Sequence, residues 1–489
     1  METYHGTDLT QFNSYSKLQA FVEKSRAEPG SFEEFEVALD EQIRAFESEL
    51  KAEQLARYDI DAQTIVVAGV TMNLCLKKEK KRFLTSSGPV EVGRNLFRPS
   101  GGGKAVCPLE LRAGIVGGIC TPALARMVSY SMGHMTSGES AALFREFGIE
   151  GPSSSTCDRI PKVVSKAWES HRVEWEEALR AAETVPEEAA VLAVSLDGVM
   201  VPDKEAQAEA KAQREKKRES LAKATGGPAG YREVGCGTIT LFAQEDAEAK
   251  RLQTIRYGRA PEAKKKTLTG QLEAEAGAIL AMRPDLILVA LADGAEENWR
   301  FFEGPLWAKA TKVVDFGHAS QHLKAGLVVY YGEGSVEGRA EYERLKVILK
   351  EQADGVGTVI KALLKLERSL RAQRRVSAKR KELLRRERKY FENQRERMDY
   401  AAYIARGLPI GSGVVEAACK TLATQRMKRS GMSWGDGKQP ILTIRSLQQS
   451  DRWERGWQLA AASFQETPLV VVEHGRLKCY EQPGFAKAA

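Results

Sequence analysis

None of the seven cysteines, Cys75, Cys107, Cys120, Cys157, Cys236, Cys419 and Cys479, is spaced as a C-x-x-C pair. An odd, scattered set disfavours both a disulfide framework and a zinc ribbon and fits free thiols in a reducing compartment. Long apolar runs are missing too: none approaches the roughly 18 residues that span a bilayer. The first residues, METYHGTDLTQFNSYSKLQ, lack a basic stretch followed by an apolar core and do not read as a secretory signal. His318 and His322 stand four apart, but Ala319, Ser320 and Gln321 lie between them, so the Glu of a metalloprotease helix is absent. A cytoplasmic protein without a membrane partner is expected.

What is present is enough for several folded units. At 489 residues with 43% apolar side chains, the chain exceeds what one core usually supports, and two to four units are expected. Its net charge of +7 is concentrated. From Arg368 to Arg397 there are thirteen Lys/Arg against four Glu, a net +9, which leaves −2 for everything else. Such concentration favours a polyanionic partner, the alternative being a solvated helix face. Arg374, Arg375, Lys379, Arg380, Lys381, Arg385 and Arg386 are the candidate contacts within it.

Residues 1–104 read as a helical region followed by a small β element. Ser31 with Glu34 starts the helix SFEEFEVALDEQIRAFESELKAEQLA as a capping box. AQTIVVAGV and GPVEVGRNLFRP are strand-like, and Ser100 to Lys104 form a glycine loop. Residues 105–185 are helical, and a turn from Gly148 to Pro152 between two helices has the outline of a helix-turn-helix, a shape that also occurs without DNA. From 186 to 330 the pattern is β-β-β-α-β-α-β-α, the order of an RNase H-like domain. Residues 331–405 read as an all-helical insertion, 406–462 as the return to the catalytic core, and 463–489 as a tail with a β-like piece.

Three acidic residues stand out against this plan. Asp197 in VLAVSLDGVMV and Asp293 in DLILVALADGA end apolar strands, and Glu416 in LPIGSGVVEAACKTLATQRM sits on a helix. Hard carboxylate oxygens are the natural ligands of two divalent ions about 3.5–4 Å apart, the arrangement that activates a water or hydroxyl and stabilises the leaving oxygen in phosphodiester cleavage. Gly198 and Gly294 follow the aspartates and let a phosphate come close. Asp-Gly after a strand is also an ordinary turn, so either Asp alone is weak. Lys420, Arg426, Lys428 and Arg429 follow Glu416 and are candidate phosphate contacts. Trp299 is a candidate base-stacking residue, with a core position as the alternative.

The segments SLDGVMVP, REVGCGTITL, RLQTIRYGR, LADGAEENWRF, VVDFGHASQHLK and above all LPIGSGVVEAACKTLATQRMKRSGMSW resemble those of DDE transposases of bacterial insertion sequences, the ISKra-type group related to the Mutator-like superfamily. The resemblance covers about residues 105–460. It implies a multidomain α+β chain whose RNase H-like mixed sheet is flanked by helices. Asp197, Asp293 and Glu416 become a triad for two Mg²⁺ or Mn²⁺ ions, Asp315 and His318 a supporting D-x-x-H element with His322 nearby, and 325–405 the helical insertion. No Cys-rich ribbon precedes the PLE segment, so no zinc is expected. Implied partners are double-stranded DNA, as terminal inverted repeats and as target, and a second copy of the chain or more, in a bacterial, nucleoid-associated setting. A nuclease or resolvase without strand transfer, and a non-catalytic DNA-binding descendant, remain open alternatives.

Overall fold

The computed structural model describes residues 9–27, 30–217, 229–245, 248–373, 375–473 and 476–479. It is a mixed α+β protein with two five-stranded sheets. The chain divides into two compact units, Met1–Trp175 with Trp453–Ala489, and Glu176–Arg452. Among the described residues no helix is long and apolar enough to cross a membrane. Cys75, Cys107, Cys120, Cys157, Cys236 and Cys419 are free thiols.

The first unit begins with helices Asn13–Ala27 and Phe32–Ala56. The second carries the capping box expected from the sequence: Glu34 N donates to Ser31 Oγ and Ser31 N to Glu34 Oε2, each at 3.2 Å. Strands β1 (Thr64–Val67), β2 (Val70–Thr85) and β3 (Gly88–Pro99) form an antiparallel meander. The tail completes it, since Leu469–Glu473 pairs antiparallel with β1 and is itself paired with Arg476–Cys479. Helices Pro122–His134, Ser137–Glu146 and Ser154–Ala181 follow the meander. The expected turn between the last two holds Gly148 at φ +66° and Gly151 at φ +122°, left-handed values that glycine adopts without strain.

The second unit is built on strands β4 (Val191–Pro202), β5 (Tyr231–Glu245), β6 (Glu248–Arg259), β7 (Ile287–Ala292) and β8 (Thr311–Val314). Their order in the sheet is β6-β5-β4-β7-β8. β4 runs antiparallel to β5, and β5 to β6, while β7 and β8 are parallel additions to β4. The polar insert after β4 contributes a helix, Lys204–Lys217, built from the helix formers Ala, Glu, Lys, Gln and Arg. Helices Lys266–Met282, Glu296–Phe301 and Phe316–Tyr331 connect and follow the later strands.

Sequence explains the layering. VLAVSL of β4 and all but the first residue of ILVALA in β7 are buried, as required of central strands covered on both faces. The helix Lys266–Met282 lies so close to β5 that a Cβ at Gly237 would sit 2.8 Å from Leu272.

Residues 331–405 are helical as expected, forming Val336–Glu351, Gly355–Ala372, Ala378–Gln394 and Tyr400–Ala405. They do not make a separate core. Leu345, Leu349, Val359, Leu363, Leu384 and Phe391 join one buried cluster with Val289, Leu291, Val313 and Val314 of the sheet. The insertion is therefore packed onto the strands that carry the acids, and its position is fixed relative to them.

Candidate active site

Register brings two of the acids together. In the parallel pair β4–β7, Ser195 is opposite Leu291, so Asp197 and Asp293, each two residues further on, reach the same level. Asp293 directly follows β7, but Asp197 does not end its strand as the sequence suggests: β4 runs on to Pro202, held by its pairing with β5. In β7–β8, Ala292 is opposite Val314, and Asp315 N donates to Ala292 O at 2.8 Å. Asp315 is thus the next acid in the row. C-terminal strand ends are where open α/β sheets place ligands.

Each carboxylate is held differently. Asp197 Oδ1 accepts from Gly198 N at 2.7 Å, and the Cys419 thiol lies 3.7 Å from Oδ2. Burial and then the charge of Asp293 push the Asp197 carboxyl above its ordinary value, with His318 working against them. Asp293 Oδ1 accepts from Ala295 N at 3.0 Å and Asn298 Nδ2 at 2.8 Å, which leaves Oδ2 without a hydrogen bond among the described residues. Asp315 is buried and caps its helix, Oδ1 accepting from His318 N at 2.5 Å. Its other oxygen accepts from Ser412 N. Burial pushes the Asp315 carboxyl up, but the hydrogen bonds from His318 and Ser412 outweigh it and the net shift is downward.

The Asp315–Ser412 bond explains how Glu416 arrives. Phe316 N also donates to Ile410 O at 2.9 Å, so the RGLPIGSG break is tied to the end of β8 from both sides. The helix Gly413–Ala418 starts directly after it, and Ser412 Oγ donates to Glu416 Oε1 at 3.2 Å. The helix then continues as a π-helical stretch, Cys419–Thr424, a local rearrangement that recurs at functional sites.

His318 stands between the acids. Its Nδ1 is 3.2 Å from Asp315 Oδ1 and 4.0 Å from Glu416 Oε1. The hydrogen bond to Asp315 raises its pKa, burial opposes, and the charges of Asp315, Asp293 and Glu416 add to the rise, which reaches about 9. Among the described residues, the group of three that could hold a metal is Asp315, His318 and Glu416, whose ligand atoms all lie within 4.8 Å of one another. Glu416 is thus nearest to the D-x-x-H pair and not to Asp197 and Asp293. Sequence gives Asp315 and His318 a supporting role; the geometry makes them the bridge that links Glu416 to the two aspartates.

The donor set suits a hard divalent cation. The carboxylates of Asp315 and Glu416 lie at the His318 imidazole, with Asp293 and Asp197 next along the row of strands, and oxygen-rich sets select Mg²⁺ or Mn²⁺. Two buried polar atoms without partners among the described residues belong to side chains at the Asp293–Gly294 turn, Asn298 Oδ1 and the Tyr390 hydroxyl. Buried polar groups are otherwise paired in the great majority of cases.

The helical insertion reaches this loop. Tyr390 occupies the space a side chain at Gly294 would need, and Gln394 Nε2 donates to Gly294 O at 3.2 Å. His322 faces the insertion: its ring stacks on Tyr390 with centroids 3.7 Å apart, and Nδ1 is 2.6 Å from Glu387 Oε2.

The cationic candidates separate by environment. Arg375 and Lys379 are exposed, as are Lys420, Lys428 and Arg429. Arg380 donates from Nε to Val329 O at 2.6 Å and from Nη2 to Tyr330 O at 2.9 Å, closing the C-terminus of helix Phe316–Tyr331. Lys381 Nζ donates to Arg371 O, Arg385 is 3.3 Å from Glu382, and Arg386 is 2.9 Å from Glu387. Arg374 lies outside the described residues. Arg426 is 3% exposed with its guanidinium 5.0 Å from the centre of the Trp434 ring, a packed position that offers no surface for phosphate. Trp299 takes the core alternative. It is 3% exposed, packs on Phe302 and carries Arg397 over its ring at 4.3 Å, so no face is left for a base.

No family model, curated protein or solved structure matches this chain.

Proposed function

We propose that the chain is a DDE-type transposase: a metal-dependent enzyme that cuts DNA at the ends of a mobile element and joins the freed 3′-hydroxyl to target DNA. The observation that carries the reading is the row Asp197, Asp293, Asp315 at one level of three neighbouring strands, with Glu416 brought to it through Ser412 and His318. The strand order, three antiparallel strands continued by two parallel ones, supports an RNase H-like assignment for the sheet.

In this reading Asp197, Asp293 and Glu416 hold two Mg²⁺ or Mn²⁺ ions. When bound, such ions supply an activated nucleophile and neutralise charge on the attacking and leaving oxygens. The chain's own residues prepare the place. Gly198 N fixes the Asp197 carboxylate, Asn298 and Ala295 N fix one oxygen of Asp293 and leave the other open, and Asp315 holds the loop that presents Glu416. Gly294, having no side chain, lets Tyr390 of the insertion pack against the turn beside Asp293. His318 draws the negative groups together and balances their charge before an ion enters.

Double-stranded DNA is the proposed partner. Exposed Arg375 and Lys379 on the insertion, and Lys420, Lys428 and Arg429 after Glu416, are its phosphate contacts. The helix pair around Gly148 is a second proposed DNA-binding element, and pairing of two element ends calls for a dimer or larger assembly.

The test is a plasmid carrying the DNA that flanks the coding region, incubated with protein and Mg²⁺ or Mn²⁺. Nicking at the element ends followed by joining to a second plasmid is expected. Cutting without joining would make the enzyme a nuclease, and end binding without cutting would make it a non-catalytic DNA-binding protein.

A further inference from the structure

Tyr390 belongs to the helical insertion, 97 residues beyond Asp293 in sequence, yet it sits against the Asp293–Gly294 turn. The contact is intimate: a Cβ built on Gly294 would lie 2.1 Å from Tyr390 Cε2. One turn later Gln394 Nε2 donates to Gly294 O, so the helix Ala378–Gln394 grips this turn at two points. The Tyr390 ring is also stacked on His322, at 3.7 Å between centroids and 19° between planes. His322 is in turn held by Glu387, on the same helix as Tyr390 and one turn before it. The phenol is thereby held by the Gly294 turn, by the His322 ring and by the helix that carries it.

Fixed in this way, its hydroxyl has nothing to bond. It is buried without a hydrogen-bond partner among the described residues. An unsatisfied buried hydroxyl is a desolvation cost to the fold, and phenylalanine would fill the same space without it. The charges felt at the phenol come from Asp293, Asp315 and Glu387, after burial itself, and all of them act to keep its proton on. The ring lies against the turn that follows Asp293, and the nearby acids are already oriented by other donors, Asp293 by Asn298 and Ala295, and Asp315 by His318 and Ser412. The acceptor it lacks is not supplied by the protein.

We propose that Tyr390 is a further active-site residue, whose hydroxyl donates a hydrogen bond to an oxygen brought in by the occupant of the Asp293–Asp315 site, either a water on a divalent ion or a phosphodiester oxygen. The helical insertion then completes the centre as well as offering cationic surface. This rests on the metal-dependent DNA chemistry proposed above and adds to it a donor that no acidic triad contains.

Tyr390→Phe removes the oxygen alone. The full-length protein and the variant, both labelled with 3-fluorotyrosine, are compared by fluorine NMR, and the resonance missing from the variant identifies Tyr390. In the wild type this resonance is expected to move when the site is filled. A shift with Mg²⁺ alone identifies a metal-bound water as the acceptor, and a shift only on adding an element-end duplex identifies the phosphate oxygen. Tyr390→Phe is expected to keep or raise the melting temperature of the metal-free protein, to bind the duplex as before, and to cleave it about tenfold or more slowly. If wild-type protein cleaves while its Tyr390 resonance stays put and Tyr390→Phe cleaves at the same rate, the inference is overturned and the transposase reading stands. If wild-type protein neither binds Mg²⁺ nor cleaves, that reading falls and takes the inference with it.

Discussion

Lys438 Nζ lies 2.5 Å from Asp203 Oδ2, and both residues are buried. Asp203 follows the end of β4, the strand of Asp197, and Lys438 opens the helix Lys438–Gln449 beyond the Glu416 segment. Two backbone bonds run alongside, Trp434 N to Pro202 O at 3.2 Å and Lys204 N to Trp434 O at 3.0 Å. The pair therefore fastens the stretch carrying Glu416 to the strand carrying Asp197. Removing one partner leaves a buried charge unpaired, a loss of about 3–5 kcal/mol. Lys438→Ala and Asp203→Ala are each expected to lower the melting temperature by many degrees, and near-native melting of either would discount the pair as a fastener.

Asp203 also sets an acid dependence. Burial pushes its carboxyl up, but the hydrogen bonds from Lys438 and Ala206 N and the charges of Lys438 and Arg232 win, so its pKa is lowered. A lowered folded-state pKa contributes stability that is fully present above the unfolded value of about 3.9 and is lost as pH falls through the folded one. Melting followed from pH 7 down to about 2.5 should show a steeper acid-side decline for wild type than for Asp203→Asn. Parallel curves would remove Asp203 from the acid response.

Substituting the acids separates cleavage from binding. Asp197→Ala and Glu416→Ala are expected to abolish strand cleavage while element-end binding, measured by mobility shift, changes little. Asp315→Asn should act less directly: it weakens the bonds to Ser412 N and His318 and lets the Glu416 loop drift, so excess Mn²⁺ should recover part of its activity. Wild-type cleavage by Asp197→Ala would end the triad assignment.

The strands of this site are legible because VLAVSL, with Ser195 its one polar residue, and ILVALA are apolar runs followed by Asp-Gly. β2 is less so: LKKEKKRF within it alternates too little to mark a strand, and it is held by pairing with β3 and by ions such as Lys80 with Glu91 and Lys81 with Glu110. Local pattern names the acids one by one, but it does not name their neighbours. Asp315 and Ser412 are joined across 97 residues by a carboxylate and a backbone amide, a pairing that leaves no periodic trace. Residue type alone makes Trp299 and Arg426 candidates, and burial decides against both.

Gly294 is the position where the insertion and the active-site turn compete for space. Gly294→Ala would force Cβ against Tyr390 Cε2, and overpacking of this kind costs about 1–3 kcal/mol. Because the clash is with a side chain on another helix, Gly294→Ala combined with Tyr390→Leu should recover part of that stability. A double-mutant cycle in thermal unfolding measures the coupling, and strict additivity would mean that the two residues do not touch.

The basic segment offers the last test, because its cations have different work. Arg380 bonds Val329 O and Tyr330 O at a helix C-terminus, where a cation contributes about 0.3–1 kcal/mol, so Arg380→Ala should lower stability. Arg375 and Lys379 are exposed and make no such closure, so alanine there should leave melting unchanged and weaken DNA binding. For every phosphate that a variant no longer neutralises, the slope of log affinity against log salt should become shallower by about 0.9. Titrations of an element-end duplex from low to moderate salt would show the change, and slopes equal to wild type in Arg375→Ala and Lys379→Ala would assign the +9 segment to solvation and packing instead of DNA.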